Sequence, residues 1–102
     1  MLVVDDEANM RLVMQMALEE AGYRVAVARN GEEGLAMARE MKPFAITLDI
    51  MMPKKDGWQV LHDLKVNPST KSIPVILISI VDQKALGYRL GADDYLVKPL
   101  EE

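Results

Sequence analysis

Short apolar, β-branched segments alternate along this chain with segments in which apolar residues recur at helical spacing. The apolar segments span residues 2–4, 24–28, 44–48, 73–78 and 95–97. Strands that alternate with helices of about ten to fifteen residues form βαβ units, whose strands are parallel and whose crossovers are right-handed. The sequence therefore predicts an α/β fold in which helices cover both faces of a doubly wound, five-stranded parallel sheet.

Residues that commonly begin or end a helix delimit four helices between these strands. In the first, apolar residues recur at i, i+3, i+4 and i+7 from Met10, and Gly22 follows at the position that favours a left-handed residue. Asn30, Asp56 and Asp82 are predicted N-caps of the second, third and fourth helices. Each predicted helix thus has a start signal or an end signal of its own.

Composition limits the classes of function that remain open. The 102 residues suffice for one domain with one core. The absence of cysteine excludes a disulfide framework, a zinc–thiolate site and a thiol nucleophile. A net charge of −4 argues against direct nucleic-acid binding. The apolar runs have the length of strands rather than membrane spans, so we expect a cytoplasmic protein with no membrane partner.

Polar side chains follow four of the predicted strands directly. Asp5 and Asp6 follow the first, Asp49 the third, Ser79 the fourth and Lys98 the fifth. Ligands of open parallel sheets bind outside the carboxyl ends of the strands, so we expect these groups to converge. Such an acidic site with one lysine suits a divalent cation, Mg²⁺ in particular, together with a phosphoryl group.

Each of these residues also has a simpler interpretation. Asp5 or Asp6 could cap the first helix, Lys98 could be solvated, and the Ser79 hydroxyl could bond locally. Asp49 is the exception, because it ends an apolar strand with no cationic residue close in sequence. A carboxylate in such a place needs a metal or a lysine, and it can act as a nucleophile toward phosphorus.

Four segments together resemble a known family, and they read Val3-Val4-Asp5-Asp6-Glu7, Leu48-Asp49-Ile50-Met51-Met52-Pro53 with Asp56-Gly57, Pro74-Val75-Ile76 leading to Ser79, and Gly91-Ala92-Asp93-Asp94-Tyr95-Leu96-Val97-Lys98-Pro99. In this order and spacing, residues 1–102 resemble a single response-regulator receiver domain. The resemblance implies a flavodoxin-like sheet in the order 2-1-3-4-5.

The resemblance also assigns expected roles to site residues. Asp49 would be the phosphoacceptor, with Ser79 and Lys98 contacting the phosphoryl oxygens. The Mg²⁺ ligands would be Asp5, Asp6, Asp49 and the backbone carbonyl of Met51. Ser79 and Tyr95 would be the switch residues.

The implied function is that of a signalling phosphoacceptor rather than an enzyme. A sensor histidine kinase or a histidine phosphotransfer domain would phosphorylate Asp49 and so switch a partner-binding surface. One alternative is a receiver-like scaffold that binds partners without phosphorylation. Another is an aspartate-nucleophile phosphatase, but that class needs a second acid close after the nucleophile, and Ile50 and Met51 follow Asp49.

Two departures from the family pattern lead to further expectations. The family's fifth helix is reduced to a few residues after Lys98, so we expect a truncated chain or a fragment. The loss of a stripe of four buried side chains removes roughly 6–12 kcal/mol, which favours self-association or swapping through the uncovered face. Near the acceptor, Met51, Ile80 and Val81 are apolar, so we expect slow hydrolysis of the aspartyl phosphate.

Overall fold

The computed structural model describes residues 1–98 and shows strands and helices in regular alternation. The strands are β1 (Leu2–Val4), β2 (Ala26–Ala28), β3 (Ile46–Asp49), β4 (Val75–Ser79) and β5 (Asp94–Val97). The helices are α1 (Ala8–Glu20), α2 (Gly31–Met41), α3 (Gly57–Val66) and α4 (Lys84–Arg89). The predicted beginning of a fifth helix, at residues 99–102, lies outside the described residues.

All five strands are parallel and form one sheet in the order β2-β1-β3-β4-β5. The predicted fold class and strand order are therefore confirmed. The order reverses direction between β1 and β3, which are neighbours in the sheet although β2 separates them in the chain. Open sheets of this kind bind ligands at such a reversal, beyond the carboxyl ends of the two strands.

The main core lies on one face of the sheet. Leu48 is paired in register with Val4 of β1 and Leu77 of β4, and Leu77 is paired with Tyr95 of β5. Because side chains alternate along a strand, these four point to the same face. They pack in one buried cluster with residues of α2 and α3, namely Leu35, Ala38, Val60, Leu61 and Leu64.

The other face is covered less completely by the described helices. Helix α1 packs against β1 and β2, and throughout residues 8–20 none of its side chains is fully buried. Met10, Met14 and Leu18 of the predicted stripe are half-buried, whereas Val13 is 57% exposed. Only the side chains of α1 that face β1 and β2 lose solvent contact, so the predicted apolar face was too wide. No helix within residues 1–98 has the length and apolar composition that a membrane span requires.

Two of the three predicted N-caps are confirmed. The Asn30 side chain accepts a hydrogen bond from the Glu33 N–H at 2.8 Å, and Asp56 forms a reciprocal capping box with Gln59. The prediction for Asp82 is wrong, because α4 has Gln83 at its N-cap position. The backbone N–H of Gln83 donates to the Tyr95 hydroxyl at 3.2 Å. This bond keeps Gln83 in the loop, so α4 begins at Lys84, one residue later than predicted.

Candidate functional site

Three carboxylates meet beyond the adjacent ends of β1 and β3. Val4 and Leu48 are register partners, so Asp5 and Asp49, the next residue on each strand, emerge side by side. Both are buried, and Asp6 is exposed beside them. One carboxylate oxygen from each of the three lies within 4.8 Å of the other two. The structure thus brings together all three predicted acidic ligands.

Neither member of the Asp5–Asp6 pair occupies the N-cap position of α1. That position belongs to Glu7, which makes no side-chain capping bond. The Glu7 N–H instead donates to Asp5 Oδ1 at 2.9 Å, which fixes one oxygen of Asp5. Asp5 Oδ2 and the Asp6 carboxylate therefore face the cluster rather than completing a helix cap.

Lys98 lies between the two buried carboxylates. Its Nζ atom is 3.5 Å from Asp5 Oδ2 and 3.5 Å from Asp49 Oδ1, and its side chain is largely buried. The Lys98 backbone N–H donates to the Ser79 carbonyl at 2.7 Å, which anchors the residue beside the end of β4. A single ammonium group therefore contacts carboxylates from two strands, which a solvated lysine would not do.

The site has more negative than positive charge. Burial is the main reason that the pKa of Asp49 rises from 3.8 to about 6, and the neighbouring Asp5 carboxylate raises it further. The Lys98 ammonium opposes this rise but does not cancel it. Three carboxylates thus face one lysine, and the site has a net negative charge when all three are ionised. A bound cation would stabilise this ionised form.

The donor set fits Mg²⁺, a hard cation that prefers oxygen ligands and retains several waters. A cleft of about 460 Å³ opens over the cluster and is lined by Asp6, Glu7, Asp49, Met51, Ile80 and Lys98. This space accommodates a phosphoryl group and water beside the carboxylates. The Met51 N–H donates to Asp49 Oδ1 at 3.4 Å, which places the Met51 backbone at the edge of the cluster.

Ser79 and Tyr95 both contact the loop between β4 and α4. Ser79 is buried, and its Oγ accepts a hydrogen bond from the Val81 N–H at 3.1 Å. The buried Tyr95 donates its hydroxyl to the Val81 carbonyl at 2.5 Å and accepts from Gln83. The two predicted switch residues thus bond to the same loop residue, Ser79 to the N–H and Tyr95 to the carbonyl of Val81.

Ser79 faces a second cleft rather than the one directly over Asp49. This neighbouring cleft of about 550 Å³ has Ser79, Trp58 and Val81 among its lining residues. Met51 is a lining residue of both clefts, which therefore adjoin each other. Of the predicted site residues, the structure therefore brings Asp5, Asp6, Asp49 and Lys98 into one group and places Ser79 next to it.

Two further residues support the site, and sequence reasoning gave neither of them a role. Arg11 Nη1 donates to the Asp5 carbonyl at 2.9 Å, and the Gly57 N–H donates to the Ile50 carbonyl at 2.8 Å. A Cβ atom on Gly57 would lie 2.5 Å from the Ile50 Cα, so only glycine permits this approach of α3. A charged residue next to the apolar stripe of α1 was the only available signal for Arg11.

Comparisons with known proteins place this arrangement in a family. The family model for the response regulator receiver domain matches residues 1–102. Protein PilH of Pseudomonas aeruginosa is 40% identical over 104 residues, which cover 99% of this chain and 86% of PilH. The probable transcriptional regulator ycf27 of Porphyra purpurea is 42% identical over 98 residues. Those residues are 96% of this chain but only 40% of ycf27, so the chain spans about two fifths of that relative's length.

Solved structures agree with the sequence comparisons. The chemotaxis response regulator CheY4 of Vibrio cholerae superposes with a TM-score of 0.91 at 30% sequence identity. The superposition covers 98% of this chain and 86% of the CheY4 chain. The sheet order, the cluster of carboxylates at the strand ends and the family match lead to one conclusion: the chain belongs to the response regulator receiver domain family of two-component signalling systems.

Proposed function

We propose that this domain accepts a phosphoryl group on Asp49 in a Mg²⁺-dependent reaction. The observation that carries the proposal is the position of Lys98 Nζ, 3.5 Å from both Asp5 and Asp49. That ammonium and the carboxylate cluster supply, at one cleft, a nucleophile, a cation-binding group and a fixed positive charge. Phosphoryl transfer depends on such positioning and charge neutralisation more than on covalent participation by the protein.

In the proposed reaction an Asp49 carboxylate oxygen attacks phosphorus in line. The new oxygen–phosphorus bond forms as the bond between phosphorus and the donor imidazole nitrogen breaks, and the electron pair stays on that nitrogen. Asp5, Asp6, Asp49 and the backbone carbonyl of Met51 would hold Mg²⁺, which when bound supplies positive charge to the phosphoryl oxygens. Lys98, whose Nζ atom is 3.5 Å from Asp49 Oδ1, adds a second positive charge beside the acceptor carboxylate.

The phosphoryl group would then act on the loop between β4 and α4. The Ser79 Oγ now accepts from Val81, so its own proton is free to be donated to a phosphoryl oxygen. That donation would draw Ser79 toward Asp49, and the Tyr95 hydroxyl would transmit the shift through its bonds to Val81 and Gln83. This two-state loop would alter the surface of α4 and β5 that partners contact.

The proposed phosphodonor is a sensor histidine kinase or a histidine phosphotransfer domain, because these present phosphohistidine to receiver domains. The family also supports a cytoplasmic location for the exchange. Since the chain spans about two fifths of the ycf27 relative, the output of the whole protein stays outside this proposal.

We further propose that residues 1–102 self-associate or swap through the face of the sheet that α1 covers only in part. Leu12, Val13 and Met16 are each more than half exposed there, and Leu96 of β5 is 40% exposed. Burying such apolar area stabilises an interface by roughly 25 cal/mol per Å². Size-exclusion chromatography with light scattering tests this, and a monomer at all concentrations that binds no hydrophobic dye contradicts it.

Intact-protein mass spectrometry after incubation with acetyl phosphate tests the central proposal. We expect one phosphate adduct that requires Mg²⁺ and disappears in Asp49→Asn. Glu40→Gln, which removes an exposed carboxylate from α2, serves as the control and should retain the adduct. An adduct that persists in Asp49→Asn, or that forms equally in EDTA, contradicts the proposal. Partner binding without any adduct would favour the phosphorylation-independent scaffold.

A further inference from the structure

Met51 combines exposure to solvent with proximity to the phosphoacceptor. Its side chain is 57% exposed, whereas that of the adjacent Met52 is 7% exposed. Met51 lines the cleft over Asp49, and its backbone N–H contacts Asp49 Oδ1 at 3.4 Å. A methionine at this point is open to dissolved oxidants and lines the cleft that holds the reacting carboxylate.

Oxidation would change the chemistry of this side of the cleft. Met51 and Ile80 contribute apolar side chains there, and a thioether is only a weak hydrogen-bond acceptor. Methionine sulfoxide is polar, and its oxygen is a strong acceptor. A sulfoxide at position 51 would therefore place an acceptor for water beside the phosphoryl group.

We propose that Met51 is a methionine-oxidation site whose sulfoxide shortens the lifetime of the aspartyl phosphate at Asp49. This inference rests on the proposed function of Asp49. Hydrogen peroxide is the oxidant class that we invoke. The sulfur lone pair attacks one peroxide oxygen, and an S–O bond forms as the O–O bond breaks. The proton on the transferred oxygen passes to the departing hydroxide, which leaves as water, so sulfur is oxidised by two electrons and peroxide is reduced.

The sulfoxide then affects the loss of the phosphoryl group. Water attacks phosphorus, the bond between phosphorus and Asp49 oxygen breaks, and inorganic phosphate leaves while the carboxylate is restored. The proton released by water passes to the phosphate or to solvent. One additional hydrogen bond that orients the attacking water accelerates this step by about three- to tenfold.

The chain provides internal controls for exposure. Met16 of α1 is 60% exposed and Met41 of α2 is 50% exposed, values close to that of Met51. Neither is among the residues that line the clefts beside Asp49. If oxidation shortened the lifetime of the phosphate adduct regardless of position, the lifetime would therefore also shorten in protein that is oxidised only at Met16 and Met41.

The experiment measures the decay of the phosphate adduct by intact-protein mass spectrometry, before and after mild treatment with hydrogen peroxide. Peptide mapping determines the sulfoxide fraction at each methionine. We expect oxidised Met51 to shorten the lifetime by about three- to tenfold. Met51→Leu, which retains the backbone carbonyl, should show the same lifetime with and without peroxide. Met51→Gln, which carries an oxygen in place of the sulfoxide, should shorten the lifetime without peroxide.

Three results would overturn the inference. The first is an unchanged lifetime in protein whose Met51 is oxidised. The second is a peroxide effect that persists in Met51→Leu, or that is lost in the Met16→Leu and Met41→Leu double variant. The third is the absence of any adduct on untreated protein. This result also refutes the proposed function of Asp49, whereas the first two results leave that function intact.

Discussion

Replacing Asp49 by asparagine should stabilise the metal-free domain near neutral pH. The substitution keeps the shape of the side chain and removes one of three carboxylates whose oxygens lie within 4.8 Å of one another. It also removes the attraction between Asp49 and Lys98, so the sign of the effect depends on which contribution is larger. Burial and the repulsion from Asp5 raise the pKa of Asp49 to about 6 despite Lys98, and the net effect of the charge is therefore unfavourable.

The magnitude follows from the linkage between pKa and stability. A carboxyl group whose pKa rises from 3.8 in the unfolded chain to about 6 in the folded domain favours the folded state when protonated. Its stabilising contribution is fully present below about pH 4 and is lost as the pH rises through about 6. The full rise corresponds to about 3 kcal/mol. Because the cleft is open to water, screening reduces the expected difference to about 1–2 kcal/mol.

Urea unfolding in EDTA, followed by circular dichroism from pH 4 to pH 8, measures this difference. We expect Asp49→Asn and the wild type to be nearly equal at pH 4, and the variant to be more stable by about 1–2 kcal/mol at pH 7. Mg²⁺ at about 100 times its dissociation constant should stabilise the wild type by about 2.7 kcal/mol and the variant by less. Glu40→Gln, at an exposed position of α2, is the surface control. A variant that is less stable than the wild type at pH 7, or a difference independent of pH, would show that the Asp49 charge does not destabilise the metal-free domain.

Three other changes test separate parts of the account. Lys98→Met should slow phosphorylation by acetyl phosphate by about 10²–10³-fold, because it removes a fixed positive charge beside the transferring group, and adduct formation at the wild-type rate would contradict that role. Lys54 has a φ of 67°, in the left-handed region that is unfavourable for a residue with a Cβ atom. Lys54→Gly should therefore raise the free energy of unfolding by about 1 kcal/mol. Lys55→Gly is its control and should be destabilising, since Lys55 forms an ion pair with Asp63; equal effects in urea unfolding would exclude this explanation. Tyr95→Phe should cost about 1 kcal/mol and speed amide exchange at Gln83, because it removes the hydroxyl that contacts Val81 and Gln83, and unchanged exchange would contradict the loop contact.

The sheet and the convergence of polar groups could be predicted because both depend on local pattern. Each apolar run marks a strand, and parallel strands end at one edge of the sheet, so Asp5, Asp49 and Lys98 could be predicted at the same edge. Asn30 and Asp56 were readable as caps for the same reason, since a cap bonds within its own first turn. The strand order that makes β1 and β3 neighbours came from the family resemblance.

The remaining features depend on contacts between residues distant in sequence. The N-cap of α4 lies at Gln83 rather than Asp82 because Tyr95, twelve residues later, holds the preceding loop. The burial of α1 depends on which strands it covers, and its own spacing does not reveal that. Ser79 faces the neighbouring cleft because of its bond to Val81, a geometric detail that strand-end position alone does not give.

The most direct test of the account is chemical identification of the phosphorylated residue. Borohydride reduction of protein treated with acetyl phosphate and Mg²⁺ converts an aspartyl phosphate to homoserine, which tandem mass spectrometry locates in the sequence. We expect homoserine at position 49 alone, and none when Mg²⁺ is replaced by EDTA. Homoserine at position 5 or 6, or a stable phosphate on Ser79, would contradict it.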